Sequence, residues 1–186
     1  MKNIGLVDLA KFHTIIFDFD GVFTDNFAYV DENGVESVRV SRADGYAINL
    51  LRKFCIRNGL TIDIFILSTE TNKVVLERAK KLELECILGE RDKLFALSRK
   101  FEIERPNDTN PFSGLIYFGN DLNDLPVLLR AGVSIAPSDA HQKVKESSTY
   151  VLDRTGGQDF VREGVELLIN IKSMTAEELS EFVSNS

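Results

Sequence analysis

The sequence predicts a doubly wound α/β domain, a parallel sheet with helices on its faces (the Rossmann-like class). Short apolar runs of β-forming residues recur along the chain, each followed by a turn and most by a stretch with helical spacing. Polar residues able to do chemistry stand directly after those runs, where open α/β sheets place their ligands. The scale fits as well: 186 residues, 44% hydrophobic and 27% charged, make one domain with a sizeable core.

The first strand is expected at Thr14-Ile15-Ile16-Phe17. An interruption follows. Residues 27–30, the turn Asp31-Glu32-Asn33-Gly34 and residues 35–40 read as two strands joined by an Asn-Gly turn, a hairpin inserted before the first helix. A two-stranded ribbon is marginal alone, so its alternating apolar positions are expected to pack on the body or on another subunit. Further strands are expected at 62–67, 84–88, 115–118, 133–136 and 150–152, and helices near 45–58, 71–82, 91–103, 122–131, 139–147 and 158–171. The stretch 173–186 reads as a short, acidic, amphipathic helix that frays.

Composition narrows the function classes. With 22 basic against 29 acidic side chains the net charge is −7, which argues against a nucleic-acid partner. The apolar runs are far shorter than the ~20 residues that span a bilayer, and Met1 to Phe12 lacks the form of a secretory signal, so a soluble cytoplasmic protein is expected. Cys55 and Cys86 have no second pair beside them and are expected to be buried free thiols.

The residues behind the strands form a set. Asp18 and Asp20 follow the first run, Ser68-Thr69-Glu70 the second, Gly89 with Asp92-Lys93 the third, and Gly119-Asn120-Asp121-Leu122-Asn123-Asp124 the fourth. Carboxylates gathered at one sheet edge repel unless a cation neutralises them. Hard oxygen donors favour Mg²⁺, which takes one or two carboxylates together with a substrate phosphate. One carboxylate can attack phosphorus while another, two residues on, protonates the leaving alcohol and later activates water. Singly, each piece has a plainer reading: Ser68 and Thr69, or Asp121 and Asp124, as helix caps, and Lys93 as a solvated lysine. Their occurrence in order at successive strand ends favours the site.

The run Asp18-Phe19-Asp20-Gly21-Val22-Phe23-Thr24-Asp25, with Ser68, Lys93 and the Gly119 to Asp124 segment, resembles the four motifs of the haloacid-dehalogenase-like phosphatases. Arg42-x-Asp44-Gly45-Tyr46-Ala47-Ile48, Gly89-x-x-Asp92-Lys93 and Gly156-Gly157 with Arg162-Glu163 resemble the small capless branch. That branch includes 3-deoxy-manno-octulosonate 8-phosphate phosphatases, nonulosonate 9-phosphate phosphatases and a domain of some acylneuraminate cytidylyltransferases. The resemblance, from about residue 12 to 170, implies a single phosphatase-like domain over 1–186, with its hairpin near 27–40, a tail near 154–186 and no cap domain.

The resemblance implies Asp18 as nucleophile and Asp20 as general acid and base, with Ser68 and Lys93 on the phosphoryl oxygens. Asp124 would orient Lys93 or a metal-bound water. Mg²⁺ would be held by Asp18, the Asp20 backbone carbonyl, Asn120 and, in reserve, Asp121. Thr24, Thr69, Glu70, Arg42, Arg78, Lys81 and Arg162 are the candidates for holding an anionic sugar phosphate. Glu70 and Lys81 resemble positions that accompany sialic-acid-like substrates. A homotetramer is implied, in which hairpin and tail help close a neighbour's site.

Asn120 departs from the family's usual Gly-Asp-Asp, removing one negative charge and weakening Mg²⁺. The same Gly-Asn start occurs in cytidylyltransferase-linked domains. The reading is therefore a Mg²⁺-dependent phosphatase of a 2-keto-3-deoxy sugar acid phosphate. Its alternative is a weakly active or inactive tetramerisation module working beside a cytidylyltransferase that makes CMP-sugars.

Overall fold

The computed structural model describes residues 7–184. Part of the stretch read for a secretory signal, and the last two residues of the tail helix, lie outside them. Six parallel strands form the central sheet: β1 (Thr14–Phe17), β4 (Asp63–Leu67), β5 (Glu85–Ile87), β6 (Leu115–Phe118), β7 (Val133–Ala136) and β8 (Tyr150–Val151), in the order β5-β4-β1-β6-β7-β8. The chain leaves β1 toward β4 and β5, then returns to build outward from the other side of β1 through β6. The strand order thus reverses between β1 and β6, where doubly wound sheets form their ligand crevice.

Both central strands are buried on both faces, which explains their unbroken apolar runs. Ile15, Phe17, Ile116 and Phe118 face a core cluster with α1 (Arg42–Arg57), α2 (Lys73–Lys81) and α6 (Phe160–Leu168). Ile16, Leu115 and Tyr117 face the opposite cluster, with α3 (Lys93–Glu104), α4 (Leu125–Leu128) and α5 (Gln142–Ser147). Phe17 pairs with Phe118 in register, so the residues after both strands emerge side by side.

Helix α1 begins at Arg42 because Ser41 caps it, accepting the N–H of Ala43 at 3.0 Å. The helix expected over 122–131 contracts to the four residues of α4. Asp124 spends its carboxylate elsewhere and makes no capping bond. The hairpin is present, but β2 (Tyr29–Val30) and β3 (Glu36–Ser37) have two residues each. Its Phe27 (73% exposed), Tyr29, Val30 and Val35 are uncovered, and only Val38 and Val40 pack partly against the core. The tail helix, α7 (Ala176–Ser184), docks through buried Phe182 against Phe54. Cys55 is buried, Cys86 half-buried, and both are free. Among the described residues, no helix is long and apolar enough to cross a membrane.

Candidate active site

Asp18 ends β1, and its backbone N–H still donates to Phe118 O at 2.9 Å, so its side chain is delivered by the sheet itself. The carboxylate accepts the N–H of Phe19 at 2.7 Å and faces Lys93 Nζ at 2.8 Å. Lys93 is the first residue of α3, set there by the Asp92 cap, whose carboxylate accepts the N–H of Phe95 at 2.9 Å. The Lys93 ammonium is buried and shared: it lies 2.7 Å from Asp124 Oδ1. Burial alone would lower its pKa, but the two carboxylates outweigh that and raise it, so Lys93 stays charged. Burial, with Asp124 nearby, pushes the Asp18 carboxyl up to about 8 in spite of Lys93.

Asp20 is half-buried, and its carboxyl accepts the Thr24 hydroxyl at 3.3 Å. Burial raises its pKa, the Thr24 bond opposes the rise, and the like charges of Glu70 and Glu36 add to it. A carboxyl held high in this way suits a general acid. Thr24 is fully buried and built into the loop rather than the cleft, its hydroxyl also accepting the N–H groups of Gly21 and Asn26 at 3.2 Å each. Ser68 is buried at the end of β4, its Oγ accepting the Glu70 N–H at 3.1 Å, a local turn that leaves its own proton free to donate.

A cleft of about 470 Å³ opens here, walled by Asp18, Asp20, Glu36, Glu70, Asn120 and Asp121 together with Thr69 and the hairpin residues Phe27 and Val38. Asn120 lies across Gly21, where a Cβ would come within 1.9 Å of its amide nitrogen; Gly21 is also in the left-handed region at φ 75°. The Asn120 Oδ1 is buried and has no hydrogen-bond partner among the described residues, so it is able to accept from a donor or ligate a cation. Among the described residues no three His, Cys, Asp or Glu side chains form a metal cluster. The donors at hand are mixed, a carboxylate and an amide oxygen, which suits a hard cation that keeps several waters.

The basic candidates lie off this cleft. Arg42 and Lys81 are exposed, Arg78 donates to Ser41 O at 2.9 Å, and Arg162 pairs with Glu166 and stacks over the Tyr46 ring at 5.6 Å. Asp121 is exposed, its carboxylate taking the Leu122 N–H at 2.7 Å. One participant escapes the sequence reading: Tyr117, whose hydroxyl donates to Asp124 Oδ1 at 2.7 Å. A tyrosine inside an apolar strand run counts as core, and only its pairing across the site reveals otherwise.

Residues 110–157 match the family model described as haloacid dehalogenase-like hydrolase. The chain is 33% identical over 158 residues to the 3-deoxy-D-manno-octulosonate 8-phosphate phosphatase KdsC of Escherichia coli (strain K12), covering 83% of this chain and 78% of that protein. The counterpart from Yersinia pestis is 31% identical, over 86% of this chain and 81% of its own. Among solved structures, the 3-deoxy-D-manno-octulosonate 8-phosphate phosphatase of Moraxella catarrhalis, in complex with magnesium, phosphate and KDO, superimposes with a TM-score of 0.78 at 25% identity, covering 95% of this chain and 94% of that one.

Proposed function

The chain belongs to the haloacid-dehalogenase-like phosphatases, and from that premise we propose that it is a Mg²⁺-dependent phosphomonoesterase acting on the phosphate of a 2-keto-3-deoxy sugar acid. The observation that carries the reading is the Asp18–Lys93–Asp124 assembly at the reversal of strand order, with both contacts within 2.8 Å.

Asp18 attacks phosphorus, an aspartyl phosphate forms, and the ester P–O bond breaks as Asp20 gives its proton to the leaving alkoxide. Asp20 then takes a proton from water, which attacks the phosphoryl group and restores Asp18. Lys93, with the Ser68 hydroxyl, holds the phosphoryl oxygens and offsets their growing charge. Asp18, the Asp20 carbonyl and Asn120 would hold the ion, with Asp121 in reserve. When bound, Mg²⁺ supplies charge neutralisation for the phosphoryl group. The buried Asn120 oxygen, on the cleft wall with Asp18, fits a hard cation.

The substrate is an octulosonate 8-phosphate, as in the named relatives, or a nine-carbon nonulosonate 9-phosphate. Glu70 on the cleft wall supports the second. Among the described residues the cleft wall carries five carboxylates and no basic side chain, so an anionic sugar needs the ion and cations from elsewhere. This favours a homotetramer in which a neighbour brings Arg42, Arg78, Lys81 or Arg162 to the cleft; the bare apolar hairpin supports the same arrangement.

Phosphate release from both sugar phosphates, with Mg²⁺ and after chelation, tests the reading. Turnover that chelation stops is expected. The second reading, a non-catalytic module beside a cytidylyltransferase, rests on Asn120. It is favoured if the parent is inert on both substrates while Asn120→Asp gains activity.

A further inference from the structure

Tyr117 is fully buried at the third position of β6, on the face of the sheet that carries α3 and α4. Its neighbours in the strand, Leu115, Ile116 and Phe118, are purely apolar. A phenylalanine would fill the same volume without the cost of burying a hydroxyl. The hydroxyl donates to Asp124 Oδ1 at 2.7 Å, the same oxygen that takes Lys93 Nζ at 2.7 Å. Asp124 Oδ2 accepts the N–H groups of Asn120 at 2.9 Å and Asp121 at 3.2 Å. Two donors on each oxygen fill what a carboxylate can accept. Asp124 therefore has no lone pair to spare for a metal-bound water, and its remaining task is to aim Lys93. Gly119 helps hold it there, since a Cβ would lie 2.7 Å from the Asp124 carboxyl carbon. Burial, Asp124 and Asp18 keep the phenol pKa well above its ordinary value, so Tyr117 is a permanent donor.

We propose that Tyr117 is a positioning residue for phosphoryl transfer. Its hydroxyl occupies part of Asp124 Oδ1, which prevents Asp124 from drawing Lys93 wholly to itself and leaves the ammonium poised between Asp124 and Asp18. Without that hydroxyl, Lys93 is the sole donor on Asp124 Oδ1 and moves away from the nucleophile. The proposal deepens the phosphatase reading and rests on it.

Tyr117→Phe keeps the volume and removes only the hydroxyl. With an aryl phosphate ester and excess Mg²⁺, kcat is expected to fall roughly ten- to a hundredfold while KM stays within about threefold, because the charge on Lys93 matters most in the transition state. Affinity for orthovanadate, which copies the five-coordinate phosphorus, is expected to fall by a similar factor, and affinity for inorganic phosphate much less. The Lys93 ¹³Cε and ¹⁵Nζ signals are expected to shift in the metal-free variant. A kcat within twofold of the parent, or a lower melting temperature with unchanged kcat and unmoved Lys93 signals, overturns the proposal and makes the hydroxyl a packing feature. A parent that hydrolyses no phosphate ester defeats the phosphatase reading instead. The Lys93 signals then decide the positioning role alone: shifted, it stands as a structural statement; unmoved, it falls.

Discussion

Asp124 and Asp44 are both fully buried carboxylates, yet the protein treats them in opposite ways. Asp124 receives an ammonium, a phenol and two backbone N–H groups. Asp44, in the first turn of α1, takes one N–H from Arg162 at 2.8 Å, while its other oxygen is buried without a partner among the described residues. Arg78, close enough to act on it, leaves its own Nε buried and, among the described residues, unpartnered. A fully supplied carboxylate is fixed in place, whereas an undersupplied one gives up its charge. Burial pushes the Asp44 carboxyl up to about 7, only partly opposed by the Arg162 N–H. The first cluster fixes an ammonium between two carboxyl groups; the second is a joint between α1 and α6 that tolerates proton uptake.

Breaking the first cluster has the largest expected effect. Lys93→Met leaves Asp18 and Asp124 facing each other without their cation, so phosphate release falls about 10³-fold and urea denaturation shows a loss of roughly 3–5 kcal/mol. If the variant is as stable as the parent, the buried ammonium is not what holds the two carboxylates together.

The second cluster predicts a pH signature. The folded Asp44 keeps its proton up to about 7, while an unfolded aspartate releases it near 4, so the folded state binds more protons in that window. This contribution to stability is fully present below about pH 4 and is lost as pH rises through 7. Asp44→Asn is expected to match the parent near pH 4 and to exceed it above pH 7 by up to roughly 4 kcal/mol in urea titrations. Parallel pH curves for parent and variant would show that Asp44 finds a better partner than the fold gives it.

An exposed pair sets the lower bound. Lys143 and Glu146 meet at 3.0 Å in open solvent, and Lys143→Ala is expected to leave the melting midpoint within about one degree. A larger fall would mean that solvated pairs carry weight here and would blur the contrast.

Much of this was legible in the sequence. The runs Thr14 to Phe17, Leu115 to Phe118 and Val133 to Ala136 coincide with strands because apolar residues between turn signals leave little choice of conformation. Asp18, Lys93 and Asp124 could be placed together because a parallel sheet brings all its strand ends to one edge. What stayed hidden depends on direction rather than spacing. Tyr117 hid among core residues, since its hydroxyl matters only through a partner seven positions on. Asp44 stood in the sequence only as part of a motif shared with the capless branch, and nothing local announces that α6 covers it. The short α4 reflects Asp124 turning to Lys93 and Tyr117, a competition between cap and site that a linear pattern does not express.

The central claim is that Asp18 is the nucleophile that takes the phosphoryl group. Acid-quenching the enzyme during turnover of a sugar phosphate with Mg²⁺, followed by peptide mass spectrometry, tests it directly. The account predicts an acyl phosphate on the Asp18 side chain that is absent from Asp18→Asn, a folded variant without phosphate release. A phosphoryl group on another residue, or continued turnover by Asp18→Asn, would contradict it.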